Sequence, residues 1–81
     1  MKIRVLYFAV ARELAGVGEE SLELDAGATI AIARAAIEAR HPSLLATDAR
    51  LRVAKNESFA SDAESIAEGD VLALIPPVAG G

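Results

Sequence analysis

The sequence predicts an α+β domain of two layers, one helix covering one face of one mixed sheet. Three observations predict it. Several short segments alternate apolar and polar residues at period two, as half-buried strands do. Only one stretch, Thr29 to Arg40, is long and periodic enough for a full helix. The last apolar run, Val71 to Ile75, is unbroken, so it needs a central place, and the first strand is the natural neighbour.

Lys2 to Phe8 opens the chain as a strand, with Ile3, Val5 and Tyr7 on one face and Lys2, Arg4, Leu6 and Phe8 on the other. Ala11 to Val17 carries helix formers and then Gly16 as a stop, which fits one or two helical turns. Ser21 to Asp25 alternates with Leu22 and Leu24 inward, and Ala26-Gly27 ends it. Thr29 is a good N-cap for the long helix, whose stripe is Ile30, Ala33 and Ile37, and Pro42 prevents its continuation. Leu44 to Ala49 reads as a loop. Arg50 to Ala54 and Ser58 to Ala60 read as two short strands around Asn56-Glu57, where Asn tolerates the left-handed turn conformation. Ser61 to Asp70 is a polar connection, and Pro76-Pro77 ends the last strand. The helix is expected on the face carrying Ile3, Val5, Leu22, Leu24, Leu51 and Leu72, because those positions must meet one apolar layer. One domain is expected over residues 1–76, with an extended tail over 77–81.

Composition narrows the function. Of the 81 residues 53 % are apolar, but many of these are alanine, so the chain can fill one modest core and no more. It has no cysteine and one histidine, which excludes disulfide and zinc scaffolds. Eight basic residues are scattered among twelve acidic ones, a net charge of −4, so nucleic acid is not an expected partner. The apolar run Val5 to Ala11 is too short to cross a membrane and lacks a signal-peptide cleavage site, so no membrane partner and a cytoplasmic location are expected. No phosphate loop, dinucleotide fingerprint, metalloprotease helix or nucleophile elbow is present. His41, at a helix end, suits a capping or surface role. Glu19-Glu20 and the acids from Asp62 to Asp70 read as a solvated face.

The informative feature is the ending, Pro76-Pro77-Val78-Ala79-Gly80-Gly81. Two prolines stiffen the exit from the domain, and the side chains then shrink to nothing, a shape suited to a narrow channel. From Pro76 onward the reach is about 18 Å in extended form. A glycine carboxylate has no Cβ to obstruct attack. With no cysteine and no room for a large internal pocket, the terminal carboxyl is the candidate reactive group.

With Phe8, Arg12-Glu13-Leu14, Gly16, Asn56, Gly69-Asp70 and Pro-Pro-Val-Ala-Gly-Gly on the page, the chain resembles, from Met1 to Gly81, the sulfur-carrier small subunits of molybdopterin synthase, within the ubiquitin-like β-grasp family. The hairpin departs from that pattern: Lys55-Asn56-Glu57 stands where the family more often has an apolar residue before Asn and glycine after it.

The resemblance implies a mixed sheet of about five strands and a two-stage chemistry that this chain does not catalyse alone. A ubiquitin-activating-type adenylyltransferase would adenylate the Gly81 carboxylate with Mg-ATP, and an indirect sulfur donor would convert it to a thiocarboxylate. The tail, Pro76, Pro77, Val78, Ala79, Gly80 and Gly81, would then thread into the large molybdopterin synthase subunit, in a heterotetramer, and give sulfur to cyclic pyranopterin monophosphate. No cofactor is expected on the chain itself. Docking is expected through Leu6, Phe8, Phe59, Val71, Ala73 and Ile75 on the sheet face away from the helix, with Arg12 in a rim ion pair. Three alternatives share the sequence: a thiamine-pathway sulfur carrier, a ubiquitin-like protein modifier, and a binding module without terminal chemistry.

Overall fold

The computed structural model describes residues 1–46 and 51–76. The expectations for residues 47–50 and for Pro77, Val78, Ala79, Gly80 and Gly81 lie outside the described residues. The elements are β1 (Lys2–Tyr7), α1 (Val10–Ala15), β2 (Glu19–Glu23), α2 (Ile30–Arg40), a 3-10 turn (Pro42–Ala46), β3 (Arg52–Lys55), β4 (Ser58–Phe59) and β5 (Val71–Ile75). They form one five-stranded sheet in the order β2-β1-β5-β3-β4. β1 and β5 are parallel neighbours, and the other pairs are antiparallel.

The period-two pattern of β1 decides which face is covered. Ile3, Val5 and Tyr7 are buried beneath α2, whose stripe Ile30, Ala33 and Ile37 is itself buried. Leu22, Leu24, Leu51 and Leu72 lie in the same core, so the expected helix face is the observed one. Val5, Ile30 and Leu72 are fully inaccessible. Each such aliphatic side chain contributes about 1.5–3 kcal/mol on burial. The Thr29 hydroxyl accepts the Ile32 N–H, the N-cap expected from the sequence.

Several boundaries differ from expectation. The first short helix runs Val10–Ala15 and not from Ala11 to Val17, β3 is shifted to Arg52–Lys55, and β4 stops at Phe59. The segment expected as a loop from Leu44 opens as the 3-10 turn Pro42–Ala46, where Pro42 ends α2. β2 begins at Glu19, two residues early, because its backbone pairs with β1 from Leu6↔Glu19 to Lys2↔Glu23. Leu24 lies just past the strand, yet stays buried because its N–H donates to the Met1 carbonyl. The polar connection from Ser61 to Asp70 is also more than a linker. Its carbonyls at Asp62 and Glu64 accept the N–H groups of Ala31 and Ile30, two of the amides that the start of α2 leaves without helical partners. Ile66 from the same segment is buried in the core, and its N–H donates to the Ala28 carbonyl.

The β3–β4 hairpin turns through Asn56 and Glu57 with φ of 50° and 74°. Two successive left-handed residues match the strand twist, and Asn suits the first position. Glutamate suits the second poorly, since its Cβ crowds the following carbonyl at about 1–2 kcal/mol. Glycine would remove that strain but lose about 0.5–1 kcal/mol in unfolded-chain entropy. Glu57→Gly is therefore expected to raise the thermal midpoint by a few degrees, measured by circular dichroism. A lowered midpoint would refute the strain.

Candidate functional site

The sheet face opposite α2 has no second layer among the described residues. Its composition follows from strand register. Leu6 pairs with Ala73, Ala73 with Ala54, and Ala54 with Phe59, so these four side chains form one row across β1, β5, β3 and β4. Ile75 pairs with Arg52 in a neighbouring row toward the tail. Leu6, Phe8, Ala54, Phe59, Val71, Ala73 and Ile75, with Asn56 and Glu57 at the hairpin end, line an open apolar groove of about 530 Å³. Phe8 is 46 % and Phe59 55 % exposed, the two aromatic side chains of the groove and both largely bare.

Local backbone geometry sets Phe8 at the rim. Its N–H donates to the Leu74 carbonyl, continuing the β1–β5 ladder by one residue. Ala9 then turns the chain sharply at φ 50° and ψ −126°, a conformation that costs a non-glycine residue about 1–3 kcal/mol. α1 starts immediately and ends on Gly16 at φ 80°. Arg12, projecting from α1, lies against Gly18, where an added Cβ would stand 3.3 Å from the Arg12 Nε. It lines a second hollow with Leu6, Tyr7, Phe8, Ala9, Gly18 and Glu19. The structure thus brings Phe8, Phe59 and Ile75 around one groove and sets Arg12 on the far side of Phe8. Pro76, half-buried, follows β5 directly at that rim.

The hairpin end of the groove is held by a polar lock. The Asn56 N–H donates to the Val71 carbonyl at 2.8 Å, and the Val71 N–H donates to Asn56 Oδ1 at 3.0 Å. Asn56 Nδ2 donates to Asp70 Oδ1, and the Ala67 N–H donates to Asp70 Oδ2. The backbone hydrogen bond from Ala67, followed by that from Asn56, holds the Asp70 carboxyl below its ordinary pKa. Beside it, Lys55 bonds Glu64 and the Ser65 carbonyl, and the hydrogen bond to Glu64 raises the Lys55 pKa.

Glu20 is a correction. It was expected on a solvated face, but its side chain is only 14 % exposed and bridges the strands to the end of α2. The Tyr7 hydroxyl donates to Glu20 Oε2, His41 Nε2 lies 2.6 Å from the same oxygen, and Arg40 Nε lies 3.0 Å from Oε1. Tyr7 and His41 also meet edge to face, ring centroids 5.5 Å apart. His41 does occupy the C-cap position of α2, and its half-buried ring is turned to the sheet. Burial pushes the Glu20 carboxyl up, but hydrogen bonds from Tyr7 and His41 and the charges of His41 and Arg40 together outweigh it and leave the pKa lowered. Burial, then the bond to Glu20, raises that of Tyr7. Among the described residues no group of three or more His, Asp or Glu side chains could hold a metal ion.

Sequence reasoning missed Arg52, Ala54 and Glu57 as neighbours of Phe59. The signal was present: with Leu51 and Val53 inward, alternation turns Arg52 and Ala54 outward.

With a five-stranded mixed sheet, one main helix and this groove established, comparison with known proteins decides the family. Residues 5–81 match the ThiS family. The chain belongs to that family. As a ThiS-family member it is 42 % identical over 83 residues to a molybdopterin synthase sulfur carrier subunit of Chlamydomonas reinhardtii, covering all of both chains. A protein of the same description from Arabidopsis thaliana is 36 % identical over 81 residues, which span all of this chain and 84 % of the relative. The crystal structure of SAMP1 from Haloferax volcanii superposes with a TM-score of 0.87 at 32 % identity, covering both chains fully. These ThiS-family likenesses establish the ubiquitin-like β-grasp fold.

The Glu20 network makes a pH prediction. Because the folded pKa of Glu20 lies below 4.5, the native state holds fewer protons than the unfolded one just below that pH. Its contribution is complete above pH 4.5 and is lost as pH falls through the lowered value. Glu20→Gln is expected to lower the urea midpoint at pH 7, by an amount that shrinks at pH 3. An equal deficit at both pH values would show that the charge is irrelevant.

Proposed function

We propose that the chain is the sulfur carrier of molybdopterin synthase and that Gly81 is its reactive residue. One observation carries the reading: β5, seated parallel to β1 at the sheet centre, releases Ile75 and Pro76 at the rim of a bare apolar groove. A tail leaving beside such a face can be threaded into a partner while the domain is gripped. The full-length likeness to sulfur carrier subunits supports the same chemistry. The activating adenylyltransferase joins the Gly81 carboxylate to AMP from Mg-ATP, releasing pyrophosphate. A sulfur nucleophile from the indirect donor displaces AMP, and the resulting thiocarboxylate attacks cyclic pyranopterin monophosphate in the large subunit. Position comes from the carrier; acid, base and oxyanion contacts come from the partner. Phe8, Phe59 and Ile75 form the docking surface for both partners, with Arg12 on its rim. No helix among the described residues is long and apolar enough to cross a membrane, and the reading places the chain in the cytoplasm.

A protein-modifier role is the second reading, favoured by the similarity to SAMP1 and by 37 % identity to small archaeal modifier protein 1 of the same organism. There Gly81 would form isopeptide bonds with lysines. Intact mass after incubation with the activating enzyme, ATP and a sulfur source separates the two: one oxygen exchanged for sulfur, or higher-mass conjugates.

Two variants divide docking from chemistry. Phe8→Glu is expected to stay folded and lose stable complex formation with the large subunit, because a carboxylate enters the groove. Deleting Gly81 is expected to leave stability and docking intact and to eliminate dithiolene formation, because the tail shortens by about 3 Å and reacting atoms must approach within about 3.5 Å. Single-turnover conversion with chemically thiocarboxylated chains measures it. Comparable conversion by the shortened chain would make the Gly-Gly end irrelevant.

A further inference from the structure

The row Leu6, Ala73, Ala54 and Phe59 has an uneven profile: its outer members are large and its inner two are single methyl groups. With Phe8 beside Leu6, the row makes a socket, floored by two alanines and walled by Leu6 and Phe8 on one side and Phe59 on the other. Close packing requires a protruding side chain to fill such a hollow in any dry interface. The charge around it is equally uneven. Arg52 lies over Phe59, its guanidinium carbon 3.7 Å from the ring centroid. Arg4, Arg34, Arg40 and Lys55 each have a carboxylate at ion-pair distance, whereas among the described residues none lies that close to Lys2, Arg12 or Arg52, and of these three it is Arg52 that stacks on an aromatic ring of the groove. Arg52 pairs with Ile75 where the tail leaves, and Glu57 lies at the hairpin end. The rim is therefore positive toward the tail and negative away from it.

We propose that the partner protein that receives the tail inserts one bulky apolar side chain into the socket over Ala54 and Ala73 and places a carboxylate against Arg52. The proposal rests on the carrier reading and adds the partner's chemistry to it. A guanidinium stacked on a ring is pre-organised and weakly hydrated, and its in-plane N–H groups remain able to grip a carboxylate with two parallel bonds. Apolar contact alone is non-directional. A charge pair at the tail end fixes the orientation in which the domain docks, so the tail enters its channel and does not point away.

The test titrates the full chain against the cognate large molybdopterin synthase subunit by calorimetry. Ala73→Leu fills the socket without touching the helix face, so its thermal midpoint should stay within a few degrees of wild type while affinity falls about 30-fold or more, as at a central interface position. Arg52→Gln should weaken binding about tenfold at low salt, and the gap should narrow severalfold in about 0.5 M salt, where exposed charges are screened. Wild-type binding matched by both variants overturns the proposal and leaves the carrier reading standing. A salt-independent loss for Arg52→Gln overturns the carboxylate, and a wild-type chain that dimerises through this face, with dimerisation abolished by Ala73→Leu, overturns the assigned occupant. Failure of the wild type to bind the large subunit overturns the carrier reading and this inference together.

Discussion

The parallel pairing of β1 with β5 is the constraint on which the rest of the structure depends. It joins Arg4–Tyr7 to Val71–Leu74, nearly the whole length of the chain apart, and it lies at the centre of the sheet. Without it the sheet separates into the β1–β2 hairpin and the three C-terminal strands, and isolated two-stranded hairpins are marginal in water. Val5 and Leu72, partners in this pairing, are both fully inaccessible under α2. The same register sets Leu6 beside Ala73 and brings Phe8 to the exit of β5. Core and groove are two faces of one pairing.

What could be read from the sequence followed from periodicity. The alternation in Lys2 to Phe8 assigned both faces of β1 correctly, and the uninterrupted Val71–Ile75 implied the central position that β5 takes. Glu20 could not be read this way. A carboxylate at an inward position looks like solvated surface until Tyr7, Arg40 and His41, from two other elements, are seen converging on it. Ile66 was hidden for the opposite reason: one large apolar residue in a mostly polar run has no period, and the backbone contact with Ala28 that accompanies its burial leaves no mark in the sequence. The candidate site divides likewise. Phe8, Phe59 and Ile75 were legible as outward apolar residues, whereas Arg52 and Ala54 acquire meaning only through the register that places them beside Phe59 and Ala73.

The segment from Ser61 to Asp70 shows how a polar stretch can be indispensable to a small core. Its carbonyls satisfy the first amides of α2, Asp70 gathers the Ala67 amide and the Asn56 side chain, and Asn56 in turn grips Val71 at the start of β5. The α2 N-terminus, the β3–β4 hairpin and the entry to β5 are thereby tied to one another through hydrogen bonds, not apolar area. This matters in a chain whose long helix carries alanine at five of eleven positions, since alanine favours the helix but contributes little burial.

The layer count links this architecture to function. A sheet with one covering helix needs apolar side chains on one face only, and β2 obeys that rule: it sets Leu22 inward against Glu19, Ser21 and Glu23 outward. β5 breaks it, with Leu72 and Leu74 inward and Val71, Ala73 and Ile75 outward. Nothing in the fold of the isolated domain calls for those outward residues, and exposed apolar area in a contiguous groove is a liability that singly scattered residues do not present. The departure is confined to the four strands that build the groove, β1, β5, β3 and β4. β2, the one strand that contributes nothing to the groove and only Glu19 to a separate hollow, keeps Glu19, Ser21 and Glu23 outward. Outward apolar character thus follows the groove that β5 builds with β1, β3 and β4 rather than depth in the fold, which is the distribution expected of a sheet whose second layer comes from outside the domain.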